Sequence, residues 1–337
     1  MNTCADGGPV DGPPSTLGPP RTTIFAFCYL CGRKMNHRLL SILTLTFLPV
    51  LAQGRELALR TVGIETGGRE MKMKVLEPKG AKDAKEPKEA DGPVPGILWI
   101  HGGGYITGGN YMVLVSCGKM LAERYGAVVV SPEYRLAGEA PYPAALEDCY
   151  AALVWMYEHA DELGIDRTRI VVGGESAGGG LTVAVCLYAR DKGEVPIALQ
   201  LPLYPMLDCE DTASSADNPG LTWGTKRNHK GWRKYLGDLY GAADVPAYAS
   251  PARATDYAGL PPCYTYVLDG EPFYEETLAF VRNLQAAGVE ARVDVFPGDT
   301  HAFDILFPWQ ERSKQAKRRL CEEYERIIMT PALSIGH

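Results

Sequence analysis

A serine flanked by glycines, three glycines behind a histidine, and one histidine far along the chain are the residues that could do covalent chemistry. Gly174-Glu175-Ser176-Ala177-Gly178 lies in "RIVVGGESAGGG" (169–180), after an apolar β-branched run and before a helical pattern. On so tight a strand-to-helix turn a serine hydroxyl is forced out above the sheet edge. Glycines two residues either side leave room for the strained backbone. The helix N-terminus behind it favours developing negative charge. G-x-S-x-G is common by chance, and its strand–turn–helix setting is what separates it from an ordinary glycine-rich turn.

An independent signal is His101-Gly102-Gly103-Gly104 in "LWIHGGGYITGG" (98–109). Consecutive glycines expose backbone N–H groups that can converge on one oxygen, as acyl transfer requires. The loop matches neither G-x-x-x-x-G-K-[ST] nor a dinucleotide G-x-G-x-x-G followed by an acid. His101 is read as a residue that orients the loop. Of the other five histidines, His37, His229 and His337 fall in the N-terminal segment, an insertion and the C-terminal segment, and His159 is near a helix end. His301, in "PGDTHAF" after the run "ARVDVF", is the candidate base. The acid that would orient it is open among Asp269, Glu271, Glu275 and Glu276 of "VLDGEPFYEE". Asp299 and Asp304 flank His301 closely and read as loop or cap residues.

These groups need a scaffold. "ELALRTVGIE" and "REMKMKVLEP" predict two antiparallel strands, the second alternating apolar and charged residues. From residue 96, "GILWI", "AVVVS", "RIVVG", "ALQLPLY", "CYTYVL" and "ARVDVF" alternate with helical stretches near 110–125, 143–163, 178–191, 275–287 and 314–328. Apolar runs flanked by helices imply an α/β fold with a mostly parallel sheet covered on both faces. The Trp- and Tyr-rich region 208–250 breaks the alternation and reads as a lid. "KGAKDAKEPKEADG" (79–92) reads as a surface loop.

Composition limits the function classes. The chain has 337 residues, 46% apolar and 22% charged, with a net charge of −7, which argues against a nucleic-acid surface. The basic run "KRNHKGWRK" (226–234) reads as a solvated helix face. Nine cysteines show no disulfide framework, Cys149 and Cys186 read as small buried hydrophobes, and the C-x-x-C at 28–31 has no second pair for a zinc site. No apolar run is long enough for an integral membrane span. Residues 1–34 read as a disordered tail, with four Gly and five Pro in the first twenty. The apolar segment 35–55 reads as a helix packed on the body of a cytoplasmic protein. It would pass for a signal peptide, and the protein for a secreted one, if Met35 were the true start.

"HGGG", "SPEYRLAGEAPYPAALEDCYAALVW" (131–155), "GGESAGGGL", "SPARATDYAGLPPCYTYV" (250–267) and "FPGDTHAFD" together resemble the hormone-sensitive-lipase-like branch of the α/β-hydrolases, a group that includes carboxylesterases and arylacetamide-deacetylase relatives. The resemblance runs from about residue 55 to 329. It implies an eight-stranded, mostly parallel core over 56–207 and 251–330, with a helical cap from the N-terminal helices and 208–250. It implies a Ser176–acid–His301 triad and oxyanion donors on the N–H groups of Gly103, Gly104 and Ala177. Relatives commonly carry the acid directly before a Pro-hydrophobic pair. That register falls on Glu271 before Pro272-Phe273, with Asp269, two positions early, as the alternative. The family's Y-R-L-A-P stands here as Tyr134-Arg135-Leu136-Ala137-Gly138, losing a rigidifying proline. The implied activity is hydrolysis of short- to medium-chain esters without metal or organic cofactor. Trp223, Trp232 and Tyr235 are candidates for an acyl pocket or for cap core. An amidase with the same triad and a non-catalytic small-ligand receptor are the alternatives, and the oligomeric state is open.

Overall fold

The computed structural model describes residues 54–79 and 92–330. The readings of residues 1–34, of the apolar segment from Met35, of the C-x-x-C and of most of the 79–92 loop lie outside the described residues. The strands are β1 (Leu57–Thr66), β2 (Arg69–Pro78), β3 (Val94–Ile100), β4 (Val128–Pro132), β5 (Ile165–Glu175), β6 (Leu199–Leu203), β7 (Cys263–Leu268) and β8 (Ala291–Phe296). They form one eight-stranded sheet in the order β1-β2-β4-β3-β5-β6-β7-β8. Only the β1–β2 and β2–β4 pairings are antiparallel. The mostly parallel α/β-hydrolase sheet expected from the sequence is the one observed.

The helices are α1 (Cys117–Tyr125), α2 (Ala144–Glu158), α3 (Ala160–Leu163), α4 (Ala177–Lys192), α5 (Thr225–Leu236), α6 (Tyr274–Ala286), α7 (Phe303–Leu306) and α8 (Glu311–Tyr324). Residue type explains several boundaries. The stretch read as one helix over 110–125 is a 3₁₀ turn and then α1, because Ser116 Oγ accepts the Lys119 N–H at 3.2 Å and caps a new start. Gly126, at φ +74°, ends α1 in the left-handed conformation. Along β2, Met71, Met73 and Val75 point into the core and Lys72 and Lys74 point away, so the sheet's antiparallel edge alternates. Central strands β4, β6 and β7 are buried along their whole length, as a sheet covered on both faces demands.

The chain leaves β3 toward β4 on one side and returns to place β5 on the other. The carboxyl ends of β3 and β5 therefore flank the crevice where the strand order reverses, the usual place for a site in such sheets. The residues after β3, β5, β7 and β8 all emerge at this edge. Between β6 and β7, α5 turns Trp232, Tyr235 and Leu236 inward and exposes Lys226, Arg227, Lys230, Arg233 and Lys234. The basic run is a solvated face of that helix.

The turn that lost its proline is held electrostatically. Nothing lies within 4 Å of where a Gly138 side chain would begin. Three residues back, Arg135 donates from Nε and Nη2 to the buried Asp148 carboxylate at 2.9 and 2.9 Å, and its backbone N–H adds a third bond at 2.8 Å. Arg69 and Thr66 also donate to Asp148, at 3.2 and 3.3 Å, so one α2 residue ties the turn to the β1–β2 hairpin. Asp148→Ala removes all of these bonds and leaves the Arg135 guanidinium with Ala144 O at 3.2 Å and Glu147 at 3.3 Å. Chemical denaturation should show a loss of about 1–3 kcal/mol of unfolding free energy.

Candidate active site

β5 ends at Glu175 and α4 begins at Ala177, leaving Ser176 alone in the turn at φ +58°, ψ −119°. Non-glycine residues hold such a conformation only when their surroundings over-determine it, at a cost of order 1–3 kcal/mol. Here the backbone is pinned on both sides. The Ser176 N–H donates to Leu203 O at 3.0 Å, and Ser176 O accepts from Gly180 and Met206 N–H groups, each at 3.0 Å. The motif's glycines are set by close approach. A Cβ on Gly178 would fall 2.1 Å from Ile100 O, and one on Gly174 would fall 2.5 Å from the same atom.

Ser176 Oγ–H donates to His301 Nε2 at 2.8 Å, and His301 Nδ1–H donates to Glu271 Oε2 at 2.5 Å. The second oxygen of Glu271 accepts the Leu268 N–H at 3.0 Å, which fixes the carboxylate at the end of β7. All three side chains are nearly shut from solvent: Ser176 is 6%, His301 5% and Glu271 0% exposed. Tyr204 and Phe273 meet the imidazole edge-on at 5.0 and 4.9 Å between ring centroids. Thr222 Oγ1, from the 208–250 segment, donates to His301 O at 2.9 Å. Asp269 is exposed and is used elsewhere: its Oδ1 accepts the Gly298 N–H at 2.9 Å.

Gly103 (φ +121°) and Gly104 (φ +61°) sit in a turn closed by Thr107, whose N–H and Oγ1 both donate to Gly103 O, at 3.1 and 3.0 Å. Among the described residues, no backbone carbonyl accepts the N–H of Gly103, Gly104 or Ala177. Gly102 lies close enough to Ser176 that a Cβ there would reach its Cβ at 3.3 Å, so the turn borders the serine directly. His101 is buried, stacks on Tyr134 at 4.2 Å and donates from Nδ1 to Gly102 O at 2.8 Å. Burial takes its pKa down to about 4, so it is neutral and braces the turn.

Of the three aromatics read as pocket candidates, only Trp223 reaches the turn: a Cβ on Gly104 would lie 1.9 Å from its ring. Trp232 and Tyr235 are buried against Tyr105, with Tyr235 stacked on it at 3.9 Å. They join α5 to the core. Sequence reasoning missed Thr222 and Tyr204, whose roles come from long-range contacts that leave no local pattern. It also misread Asp304, which is wholly buried on α7 and accepts hydroxyl hydrogen bonds from Tyr204 at 2.7 Å and Tyr266 at 2.9 Å. Its chain proximity to His301 conceals that α7 turns it back under the sheet edge.

A family model described as alpha/beta hydrolase fold matches residues 97–305, and the chain belongs to this family, in its hormone-sensitive-lipase-like branch. Esterase LipI of Mycobacterium tuberculosis (strain ATCC 25618 / H37Rv) is 37% identical over 211 residues, covering 61% of this chain and 64% of that protein. The chain spans just under two thirds of the length of the curated relatives it matches. Among solved structures, a bacterial heroin esterase superposes with a TM-score of 0.72 at 34% identity, covering 87% of this chain and 90% of that one. Esterase LipW from Mycobacterium marinum superposes with a TM-score of 0.70 at 30% identity, covering 80% of this chain and 82% of that one.

Because the Gly178 contact is with backbone, which cannot swing aside, Gly178→Ala must shift β3 or α4. Overpacking of this kind costs about 1–3 kcal/mol, to be read as a lowered denaturation midpoint with an unchanged slope.

Proposed function

We propose that this protein is a serine carboxylesterase acting on short- to medium-chain acyl esters through an acyl-enzyme. The observation that carries the reading is the continuous relay from Ser176 Oγ through His301 to Glu271, at 2.8 and 2.5 Å. The esterase names of the similar proteins point the same way.

In this mechanism Ser176 Oγ attacks the ester carbonyl carbon while His301 Nε2 takes its proton. Glu271 holds the imidazole in the required tautomer and stabilises the imidazolium. The carbonyl oxygen, now an alkoxide, is met by the N–H groups of Gly103, Gly104 and Ala177. Removing one such donor elsewhere costs about 3–4 kcal/mol of transition-state stabilisation. Collapse expels the alcohol, which leaves with the proton from His301. Water then attacks the acyl-serine with the same histidine as base, and the carboxylic acid departs with Ser176 restored. The segment 208–250 is the cap in this reading, and Trp223 is the wall of the acyl site. Its ring against Gly104 leaves little room beside the oxyanion donors, which favours small acyl groups.

Two measurements test this. Turnover of p-nitrophenyl butyrate should fall by about 10⁴ in Glu271→Gln, the scale seen when a triad acid is lost. Asp269→Asn should stay within a few-fold of wild type. Equal losses in the two variants, or an inactive wild type, would reject the assignment. Trp223→Ala should raise the octanoate-to-butyrate ratio of kcat/KM by roughly tenfold, the discrimination available from a few contacts in an apolar pocket. An unchanged ratio would return Trp223 to a packing role.

A further inference from the structure

Between β6 and β7, the stretch 214–223 makes contacts that covering a site does not require. Ser214 Oγ donates to Pro272 O at 2.8 Å and accepts the Glu275 N–H at 3.1 Å. Asn218 Nδ2 donates to Gly270 O at 3.1 Å. Gly270 and Pro272 are the chain neighbours of Glu271, so the acid is held on both sides. Thr222 Oγ1 donates to the carbonyl of His301 itself at 2.9 Å. The Trp223 ring occupies the space that a Cβ on Gly104 would need, which brings the same stretch onto the glycine turn after β3.

The stretch is also braced from within. Asn218 Oδ1 accepts the Gly220 N–H at 2.9 Å, and Asn218 Nδ2 donates as well to Ser214 O at 3.0 Å. Thr225 Oγ1, at the start of α5, accepts the Asn218 N–H at 2.7 Å and donates to Ser215 O at 2.6 Å. The Thr225 N–H returns to Asn218 O at 3.0 Å, and Arg227 Nη1 donates to Thr222 O. A chain folded on itself in this way has already lost much of its conformational freedom, so it can carry a displacement from one end to the other.

We propose that Ser214, Asn218 and Thr222 are positioning residues of one strap, which holds the loop of Glu271, the loop of His301 and the glycine turn in mutual register. Their donor bonds to the first two loops end on backbone carbonyls. They therefore fix where those loops lie and leave the triad side chains to one another. Because one stretch holds all three, loosening it at one end should be felt at the others. A segment that only covered the site would affect how well substrate is retained and nothing more.

The kinetic half of the test rests on the esterase reading; the exchange half does not. Thr222→Val keeps the side-chain shape and removes the bond to His301 O, and Ser214→Ala removes both bonds to the Glu271 loop. Ser250→Ala is the control, because it deletes a buried hydroxyl of the 208–250 segment that bonds Leu207 O at 2.9 Å and the Cys209 N–H at 3.0 Å. Hydrogen–deuterium exchange is followed in peptides covering 268–277, 297–303 and 102–108. Each strap variant should speed exchange about tenfold in the loop it contacts, the scale of one lost hydrogen bond, and several-fold in the other two. Ser250→Ala should leave all three within about twofold of wild type. In parallel, kcat for p-nitrophenyl butyrate should fall about tenfold in each strap variant with KM nearly unchanged, since small displacements misalign reacting atoms. Faster exchange confined to the contacted loop, or the same pattern in Ser250→Ala, overturns the strap. So does a raised KM with kcat unchanged, which is the mark of a mere cover. If Thr222→Val does not fold, Ser214→Ala decides. A wild type that hydrolyses no ester removes the esterase reading, and the strap is then judged on exchange alone.

Discussion

A side-chain carbon at position 178 would fall 2.1 Å from the carbonyl oxygen of Ile100, and the rest of the site follows from that approach. With no side chains at 174 and 178, the end of β5 and the start of α4 press directly on the end of β3. The only path left between them puts Ser176 at φ +58°. The same contact brings the glycine turn after β3 beside the serine, so nucleophile and free N–H groups arise from one packing constraint. Two signals that are separate in the sequence are one object in space. This explains why their co-occurrence carries more weight than either motif alone.

The strain is gathered in one place. Among the described residues, the non-glycine positions at positive φ are Tyr105, Ser176, Tyr204 and Ala302. Each is at a carboxyl end of a parallel strand or next to a relay residue. Tyr105 follows the glycine turn and anchors through its hydroxyl to Met206 O at 3.0 Å. Ala302 turns the chain sharply after His301, so that α7 can carry Asp304 back beneath it. Backbone energy of this kind is sustained by rigid surroundings. The fully buried central strands and the Asp148 hub supply that rigidity on either side.

The sheet was legible because its signals are local and repeated. Alternation in β2 and unbroken apolar runs in the central strands follow directly from how many faces each strand buries. The positions of Ser176 and His301 were legible for a related reason: each follows a strand whose direction the pattern fixes. The acids were not equally legible. In "DGEPFYEE" three of the four carboxylates within eight residues have distinct partners. Asp269 holds the His301 loop through Gly298, Glu271 meets His301, and Glu276 accepts the Leu207 N–H at 2.6 Å, at the start of the 208–250 segment. Composition cannot separate them, since the choice depends on which strand end each faces. The family register singled out Glu271. Asp304 escaped because a four-residue helix is too short to leave a periodicity, and Trp232 and Tyr235 because an aromatic reads the same whether it faces a pocket or a core.

Two carboxyls buried at one strand edge differ in what their oxygens meet. Glu271 is wholly enclosed, yet both of its oxygens are used, one by His301 and one by the Leu268 N–H. Glu175, the residue before Ser176, has one oxygen on the Trp99 Nε1–H and the other without a hydrogen-bond partner. A carboxylate with both oxygens bonded has its desolvation offset by donors. Glu175 lacks that second donor, and burial, with the Asp304 charge second, pushes its pKa up to about 8. Glu271 and Glu175 therefore differ in partners, not in depth.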